Sequence, residues 1–199
     1  MQGYQSYVVN NTFLDCFGRH IDVLSNHVSG SLNGSVYKSI IQGNKISFSV
    51  EKQGSIGSNF TSAGSIYCRY ADVDVIDNYV DFSNLALTSN TYSAISIRHG
   101  FVGANVSKNT IITPKAEGIN CDLSDAVDTD NCSIIISDNI ISGATNPTRK
   151  AISVLNNSAS KVFRSVIIIG NLIDTTRAGC IEVKATVSNI PSRITGKYL

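Results

Sequence analysis

Apolar residues recur around one asparagine along the whole chain. Six asparagines are spaced at intervals of 33, 34, 31, 30 and 32 residues, at Asn11, Asn44, Asn78, Asn109, Asn139 and Asn171. An apolar residue lies three positions before each and another lies two positions after each, although only 42% of the chain is hydrophobic. A seventh, degenerate copy keeps Ile194 and Leu199 and has Lys197 in place of the asparagine. This period predicts a repeat architecture.

A second apolar element precedes each later copy of the asparagine pattern. It has one apolar residue on each side of a single variable residue. These pairs are Ile21/Val23, Ile66/Cys68, Ile95/Ile97, Ile119/Cys121, Ile152/Val154 and Ile181/Val183. The alternation predicts a strand with one buried face. One repeat cannot bury its own apolar stripe, so we expect neighbouring repeats to stack with like residues about 4.8 Å apart.

The asparagine is predicted to have a structural role. Its short amide tolerates the left-handed backbone conformation of a tight turn, and it can hydrogen-bond to the repeats on either side as an internal ladder. We therefore expect the six asparagines to hold the repeats in register and to take no part in catalysis.

Composition and charge limit the partners that the chain would bind. The net charge of +1 gives no reason to expect a nucleic acid or an anionic membrane as partner. No stretch approaches transmembrane length, and no secretory signal is visible at the start. The five cysteines form an odd set without CxxC spacing, so we expect buried free thiols, with no disulfide framework, metal or cofactor.

The asparagine turn, combined with long loops elsewhere in each repeat, resembles the pectate-lyase-like superfamily of right-handed β-helices, and the resemblance covers essentially the whole chain. The predicted fold is all-β, a right-handed single-stranded parallel β-helix of about six to seven coils. Residues 1–199 form a single domain in this prediction. Both ends interrupt a coil, so we expect the chain to be an excerpt of a longer protein.

Within that superfamily, the few charges and the loops rich in Ser, Asn and Gly are most similar to bacteriophage tailspike proteins. The resemblance implies a homotrimer in the virion tail that binds, and by hypothesis depolymerises, a capsule or O-antigen polysaccharide. Two alternatives remain open. One is a non-catalytic shaft or adhesin segment of a trimeric fibre, and the other is a secreted bacterial polysaccharide lyase or epimerase.

Two columns of side chains are predicted to point outward from the first strand of each coil. The central column is Asp22, Tyr67, Ser96, Asn120, Ser153 and Glu182, and the second is Leu24, Arg69, Arg98, Asp122, Leu155 and Lys184. In the superfamily the equivalent sheet floors the sugar-binding groove. Long loops at 25–38, 47–65 and 124–132 flank this face and are predicted to wall the groove, with solvated decoration as the alternative.

Arg69 and Arg98 are expected to stack one coil apart, where like charges disfavour the sheet unless an anion relieves them. One interpretation is an ordinary ion pair with Asp122. The other is that both guanidinium groups bind the carboxylate of an acidic sugar.

For hydrolysis the candidate carboxylates are Asp122 and Glu182, which lie two coils apart, an axial spacing of roughly 9.6 Å. This is at the long end of the roughly 6.5 to 9.5 Å separation of inverting glycosidases. Asp125, Asp128 and Asp130 are closer candidate partners of Asp122.

The remaining predicted substrate-binding residues are Tyr67, Arg69, Arg98, Asn120, Asp22 and Lys184. Tyr67 is the aromatic side chain that we most expect to touch a sugar ring. A lyase would instead need a base and a group that neutralises a uronate, which Arg98, His99 and Tyr67 could supply. Whether any bond is cut is left open by the sequence.

Overall fold

In a computed structural model, every regular element of the described residues is a β-strand. The structure describes residues 5–16, 18–24, 38–50, 52–54, 64–69, 72–87, 92–98, 103–122, 132–144, 146–156, 163–175, 179–185 and 192–198. The strands are β1 Tyr7–Val9, β2 Thr12–Leu14, β3 Ile21–Leu24, β4 Ser39–Gln42, β5 Lys45–Ser47, β6 Lys52–Gly54, β7 Gly64–Arg69, β8 Val73–Ile76, β9 Tyr79–Asp81, β10 Leu85–Leu87, β11 Ser93–Arg98, β12 Gly103–Ser107, β13 Thr110–Ile112, β14 Ile119–Asp122, β15 Cys132–Ser137, β16 Ile140–Ala144, β17 Lys150–Asn156, β18 Phe163–Thr175, β19 Gly179–Ala185 and β20 Ser192–Tyr198.

The strands pair in parallel with strands one repeat away, so the predicted stacking is confirmed and the chain forms a β-solenoid. A six-stranded sheet has the order β3-β7-β11-β14-β17-β19. A twelve-stranded sheet runs β1-β4-β8-β12-β15-β18 and returns through β16-β13-β9-β5-β2, with β20 added on β18. Strands β6 and β10 form a separate pair. The right hand of the coil and its count of six to seven turns stay predictions.

The apolar positions of the repeat form the core. Inward columns on either side of each asparagine are buried from the second repeat to the sixth, namely Ile41, Val75, Val106, Ile136 and Ile168 before it and Ile46, Val80, Ile111, Ile141 and Ile173 after it. The paired residues of the six-stranded sheet complete the same cluster. Full burial of one such side chain stabilises the fold by about 1.5 to 3 kcal/mol, so the stacked columns supply the main driving force.

The asparagines form the predicted ladder. Each Nδ2 from Asn11 to Asn139 donates to Oδ1 of the next asparagine at 2.8 to 3.0 Å, and the backbone N–H donates to the same oxygen at 3.0 Å. From Asn44 onwards, Nδ2 also donates to a backbone carbonyl of the preceding repeat. The ladder therefore satisfies buried polar groups of the turn by repeating one residue.

The left-handed conformation of this turn belongs to the residue before each asparagine. The positive φ angles are 57° at Asn10, 66° at Gly43, 55° at Asp77, 57° at Lys108, 56° at Asp138 and 70° at Gly170. The prediction that the ladder asparagine adopts this conformation is therefore wrong. The residue types before the asparagines indicate this conformation, since all but Lys108 are Gly, Asn or Asp, the types that tolerate positive φ.

An aromatic row fills the first coils near the entry to the six-stranded sheet. Ring centroids are 6.0 Å apart for Phe13 and His20, 6.2 Å for His20 and Phe48, 6.4 Å for Phe48 and Phe82, and 5.7 Å for Phe82 and Tyr92. Such tilted and edge-to-face contacts add to the hydrophobic stabilisation. The row packs the first coils against one another at the corner beside the six-stranded sheet.

Candidate functional site

The outward face of the six-stranded sheet contains both predicted columns in the predicted register. On successive strands Asp22 pairs with Tyr67, then Ser96, Asn120, Ser153 and Glu182, and Leu24 pairs with Arg69, then Arg98, Asp122, Leu155 and Lys184. Register is determined by the inward apolar residues, because a slip of one residue would turn them to solvent. The order of residues along each column is therefore the one expected, and the assignment of these residues to a binding or catalytic site stays a prediction.

The two stacked arginines are relieved by two different carboxylates. Arg98 Nη2 lies 2.9 Å from Asp122 Oδ2, and the two residues are direct partners on β11 and β14. Arg69 Nη2 instead lies 3.2 Å from Asp22 Oδ2 and 3.3 Å from Asp22 Oδ1. The predicted ion pair with Asp122 is thus confirmed for Arg98, whereas Arg69 turns to the preceding strand.

Arg19 belongs to this cluster and was not predicted from the sequence. Its Nη1 lies 2.7 Å from Asp22 Oδ2. Its guanidinium carbon lies 4.2 Å from the centroid of the Tyr67 ring, and that of Arg69 lies 5.1 Å from the same centroid. Arg19 precedes β3 by two residues, outside the alternating pattern, so only its i,i+3 spacing to Asp22 could have indicated the contact.

Tyr67 is buried beneath these charges. It is only 3% exposed, although alternation turns its side chain away from the apolar core. Two cation–π contacts hold the ring between the guanidinium groups. Its predicted contact with a sugar ring would require Arg19 or Arg69 to move, so in this arrangement Tyr67 supports the arginines.

The middle of the central column contains polar atoms without partners. Ser96 is 0% exposed, and its Oγ makes no hydrogen bond. On the next strand, Asn120 Oδ1 is also buried without a hydrogen-bond partner. In the second column, Arg69 Nε is also buried without a hydrogen-bond partner. Unsatisfied buried groups cost about 1 to 3 kcal/mol each, so they are exceptional in folded proteins.

The register separates the two predicted catalytic carboxylates. Asp122 lies on β14 in the second column, and Glu182 lies on β19 in the central column, with β17 between them. Two strand spacings and a two-residue offset place their Cα atoms roughly 12 Å apart. Ser153 and Leu155 stand on the intervening strand. The catalytic assignment stays a prediction, and the described geometry does not bring the two groups together.

Lys184 and Glu182 lie at the far end of the face. Lys184 is exposed and Glu182 is half-buried. Lys184 pairs in register with Leu155, so it is two strands from Asp122. These two residues therefore form an end of the face that is separate from the arginine cluster.

A second polar cluster lies along the edge where the strands of the six-stranded sheet begin. The buried Glu117 accepts a hydrogen bond from Ser93 Oγ at 2.8 Å and pairs with Arg149 Nη1 at 3.1 Å. Asn146 Nδ2 donates to the carbonyl of Lys115 at 3.2 Å. Because each bond joins neighbouring repeats, we assign the cluster a bracing role.

A half-buried histidine makes hydrogen bonds at the corner that leads into β3. His20 Nε2 lies 3.0 Å from the Cys16 carbonyl and Nδ1 lies 2.9 Å from Ser65 Oγ, which is 3.4 Å from Tyr92 Oη. Burial lowers the pKa of His20 below its ordinary value. Burial also raises the pKa of Tyr92 to about 12, so its hydroxyl stays protonated and donates to the Gly18 carbonyl.

Four of the five cysteines, Cys16, Cys68, Cys121 and Cys180, are free thiols. Cys68 and Cys121 are buried in the core, where burial raises the pKa of both thiols, whereas Cys16 is exposed, contrary to expectation. Within the described ranges no group of three His, Cys, Asp or Glu side chains could hold a metal ion.

Several predicted features lie outside the described residues. These are His99, Asp125, Asp128, Asp130 and most of the loops at 25–38, 47–65 and 124–132. Among the residues that are described, no helix has the length and apolarity to cross a membrane.

Comparison with protein-family models, curated proteins and solved structures finds no match for the chain.

Proposed function

We propose that this chain is a polysaccharide-binding β-solenoid module of the bacteriophage tailspike kind. The observation that supports the proposal is the outward face of the six-stranded sheet. Its register aligns exposed and half-buried guanidinium, carboxylate, amide and ammonium groups along the stacked strands, namely those of Asp22, Arg69, Arg98, Asn120, Glu182 and Lys184. These groups hydrogen-bond to sugar hydroxyls, and an extended solenoid offers them at regular spacing to an extended polymer. The proposed partner is a capsule or O-antigen polysaccharide.

The proposal is for binding, with hydrolysis as a separate question. Asp122 is engaged by Arg98, and Glu182 lies two strands away. An acid and a base that act on one glycosidic bond must both reach it. The described groups therefore favour recognition over cleavage, and the hydrolytic role of Asp122 and Glu182 stays a prediction.

The test is binding of the 199-residue chain to a panel of immobilised capsular polysaccharides and lipopolysaccharides. The double variant Arg98→Ala/Asp122→Ala removes both members of an ion pair from the face, and we expect it to weaken binding about tenfold or more. The matched control is Lys38→Ala/Asp74→Ala, which removes an outward ion pair near the twelve-stranded sheet. Equal losses in the two variants would contradict the proposed face.

The same panel separates the alternatives. Release of reducing ends that is lost in both Asp122→Asn and Glu182→Gln would establish the hydrolytic pair. A chain that binds no preparation but sediments as a trimer would favour the shaft of a fibre.

One observation favours the shaft as the second candidate. Outward apolar residues on neighbouring strands β15, β16 and β18 are 38 to 44% exposed, namely Ile135, Ile140, Ile169 and Leu172. Clusters of exposed apolar side chains are typical of surfaces that pack against another chain. A second copy of this chain is the occupant that a trimeric fibre requires.

A further inference from the structure

The Asp22 carboxylate lies between two guanidinium groups. Arg19 Nη1 approaches Oδ2 at 2.7 Å, and Arg69 Nη2 approaches Oδ2 at 3.2 Å. The side chains of Arg19, Asp22 and Arg69 are 20%, 31% and 26% exposed, so all three are reachable from solvent. Tyr67 lies against both arginines and restricts their movement. The four residues thus form a preorganised group at one end of the face.

Asp22 fills the binding fork of Arg69 incompletely. Both of its contacts with Arg69 go to the single atom Nη2, while the buried Nε of Arg69 has no hydrogen-bond partner. A well-placed carboxylate engages a guanidinium through two parallel N–H donors. Asp22 approaches from a different column, since it is aligned with Tyr67 and not with Arg69. The contact is therefore a diagonal one that uses only part of the fork.

Arg98 provides the contrast within the same column. Its carboxylate partner Asp122 is its direct neighbour in register. The direct neighbours of Arg69 are Leu24 and Arg98, neither of which is a carboxylate. The register therefore places a carboxylate directly beside Arg98 and places none directly beside Arg69.

We propose that Arg19 and Arg69 form a carboxylate-binding subsite that Asp22 occupies intramolecularly, and that an acidic sugar displaces Asp22 from it. The closest contacts of Arg19 and Arg69 both go to the single atom Oδ2 of Asp22, whereas a sugar carboxylate that approaches from solvent can give one oxygen to each guanidinium group. The assignment of the carboxylate to a polysaccharide rests on the proposed function. It deepens that function by naming acidic polymers as the preferred partners.

The test is a titration of the 199-residue chain with sodium glucuronate at constant ionic strength, followed by NMR chemical shifts, with glucose as the neutral counterpart. Arg69→Lys keeps the charge but loses the fork, and we expect glucuronate affinity to fall about tenfold. Asp22→Asn removes the competing carboxylate, and we expect affinity to rise about two- to fivefold, the strength of an exposed ion pair.

The matched control is Arg149→Lys, the same substitution in the ion pair with Glu117 at the edge of the sheet, which should leave binding unchanged. Arg19→Lys provides a second, conservative variant of the subsite, and thermal melts verify that each variant is folded. Wild-type affinity in Arg69→Lys, or weaker binding in Asp22→Asn, would overturn the subsite. Acetate that binds as tightly as glucuronate would overturn its assignment to a sugar acid.

The outcomes for the subsite and for the proposed function are distinguishable. If glucuronate binds with this pattern of variants but no surface polysaccharide binds, the subsite stands and the proposed function fails. If Arg69→Lys binds both acidic and neutral polysaccharides as well as the unmodified chain does, the subsite fails and polysaccharide binding stands.

Discussion

The asparagine turn and the outward face of the six-stranded sheet have the same parallel stacking but differ in what each repeat places there. At the turn, every repeat but the degenerate last copy contains the same residue, and its amide bonds to the identical amide one repeat away. On the face, each strand contributes a different side chain, from Asp22 to Glu182 in one column. The turn is uniform because its role is repeated, whereas the face is free to vary.

This difference separates the residues that stabilise the fold from the residues that we propose for binding. The ladder satisfies buried donors and acceptors, so a change in one amide affects the repeats on both sides. Side chains on the face instead make local pairs, such as Arg98 with Asp122, or leave polar atoms without partners, such as Ser96 Oγ. We therefore expect mutations at the turn to affect folding and mutations on the face to affect binding.

The largest expected effect is that of Asn109→Ala. The Asn109 side chain donates to Val75 O and Asn139 Oδ1, and its Oδ1 accepts from both nitrogen donors of Asn78. Its loss leaves several buried groups unsatisfied, so we expect the free energy of unfolding to fall by about 3 to 5 kcal/mol. Urea denaturation followed by circular dichroism measures this change.

The control for that experiment is Asn120→Ala on the face. Asn120 Oδ1 is already without a partner, and removing an unsatisfied group costs little. We expect a change within about 0.5 kcal/mol. If the two asparagines proved equally costly to remove, the separation between turn and face would fail.

A smaller effect is expected at the residues that precede the ladder. Gly170 has a φ of 70°, and a Cβ there would collide with the Asp138 side chain. We expect Gly170→Ala to destabilise the chain by about 1 to 2 kcal/mol. Lys108→Asn, at a φ of 57° in the same column, should raise the melting temperature, because asparagine tolerates this conformation better than lysine. An unchanged or lower melting temperature for Lys108→Asn would argue against this account.

The smallest effect is a pH dependence at the corner of His20, which contrasts with the uncharged side chains of the asparagine ladder. Burial lowers the pKa of His20 in the folded state from its ordinary value of 6.5, so the unfolded chain binds the proton more readily. Its contribution to stability is present above that value and is lost as pH falls below it, with a slope of at most about 1.4 kcal/mol per pH unit. Urea midpoints between pH 7 and pH 5 should therefore decrease, and His20→Gln should flatten the decrease. If the urea midpoint of His20→Gln decreases as steeply with pH as that of the unmodified chain, the pH dependence comes from other titratable groups.

Much of the fold was predictable because it depends on residue spacing. The period of the asparagines determines the pairing of strands, and the alternation of Ile66 and Cys68 around Tyr67 determines which side chains point outward. The ladder followed from the same spacing. The left-handed residue could have been identified from the Gly, Asn and Asp residues before the asparagines, but the prediction assigned it to the asparagine itself.

The sequence by itself determined the stacked coils, the buried columns and the order of residues along the outward face. Each of these follows from the spacing of the repeat, because stacked strands align the equivalent residues of successive repeats. Only the tertiary structure decided that Arg69 pairs with Asp22 and Arg98 with Asp122, that Arg19 joins the cluster and that Tyr67 is buried beneath it. The physical reason is that long charged side chains reach across strands and columns, so their partners depend on three-dimensional distances that spacing along the chain does not contain.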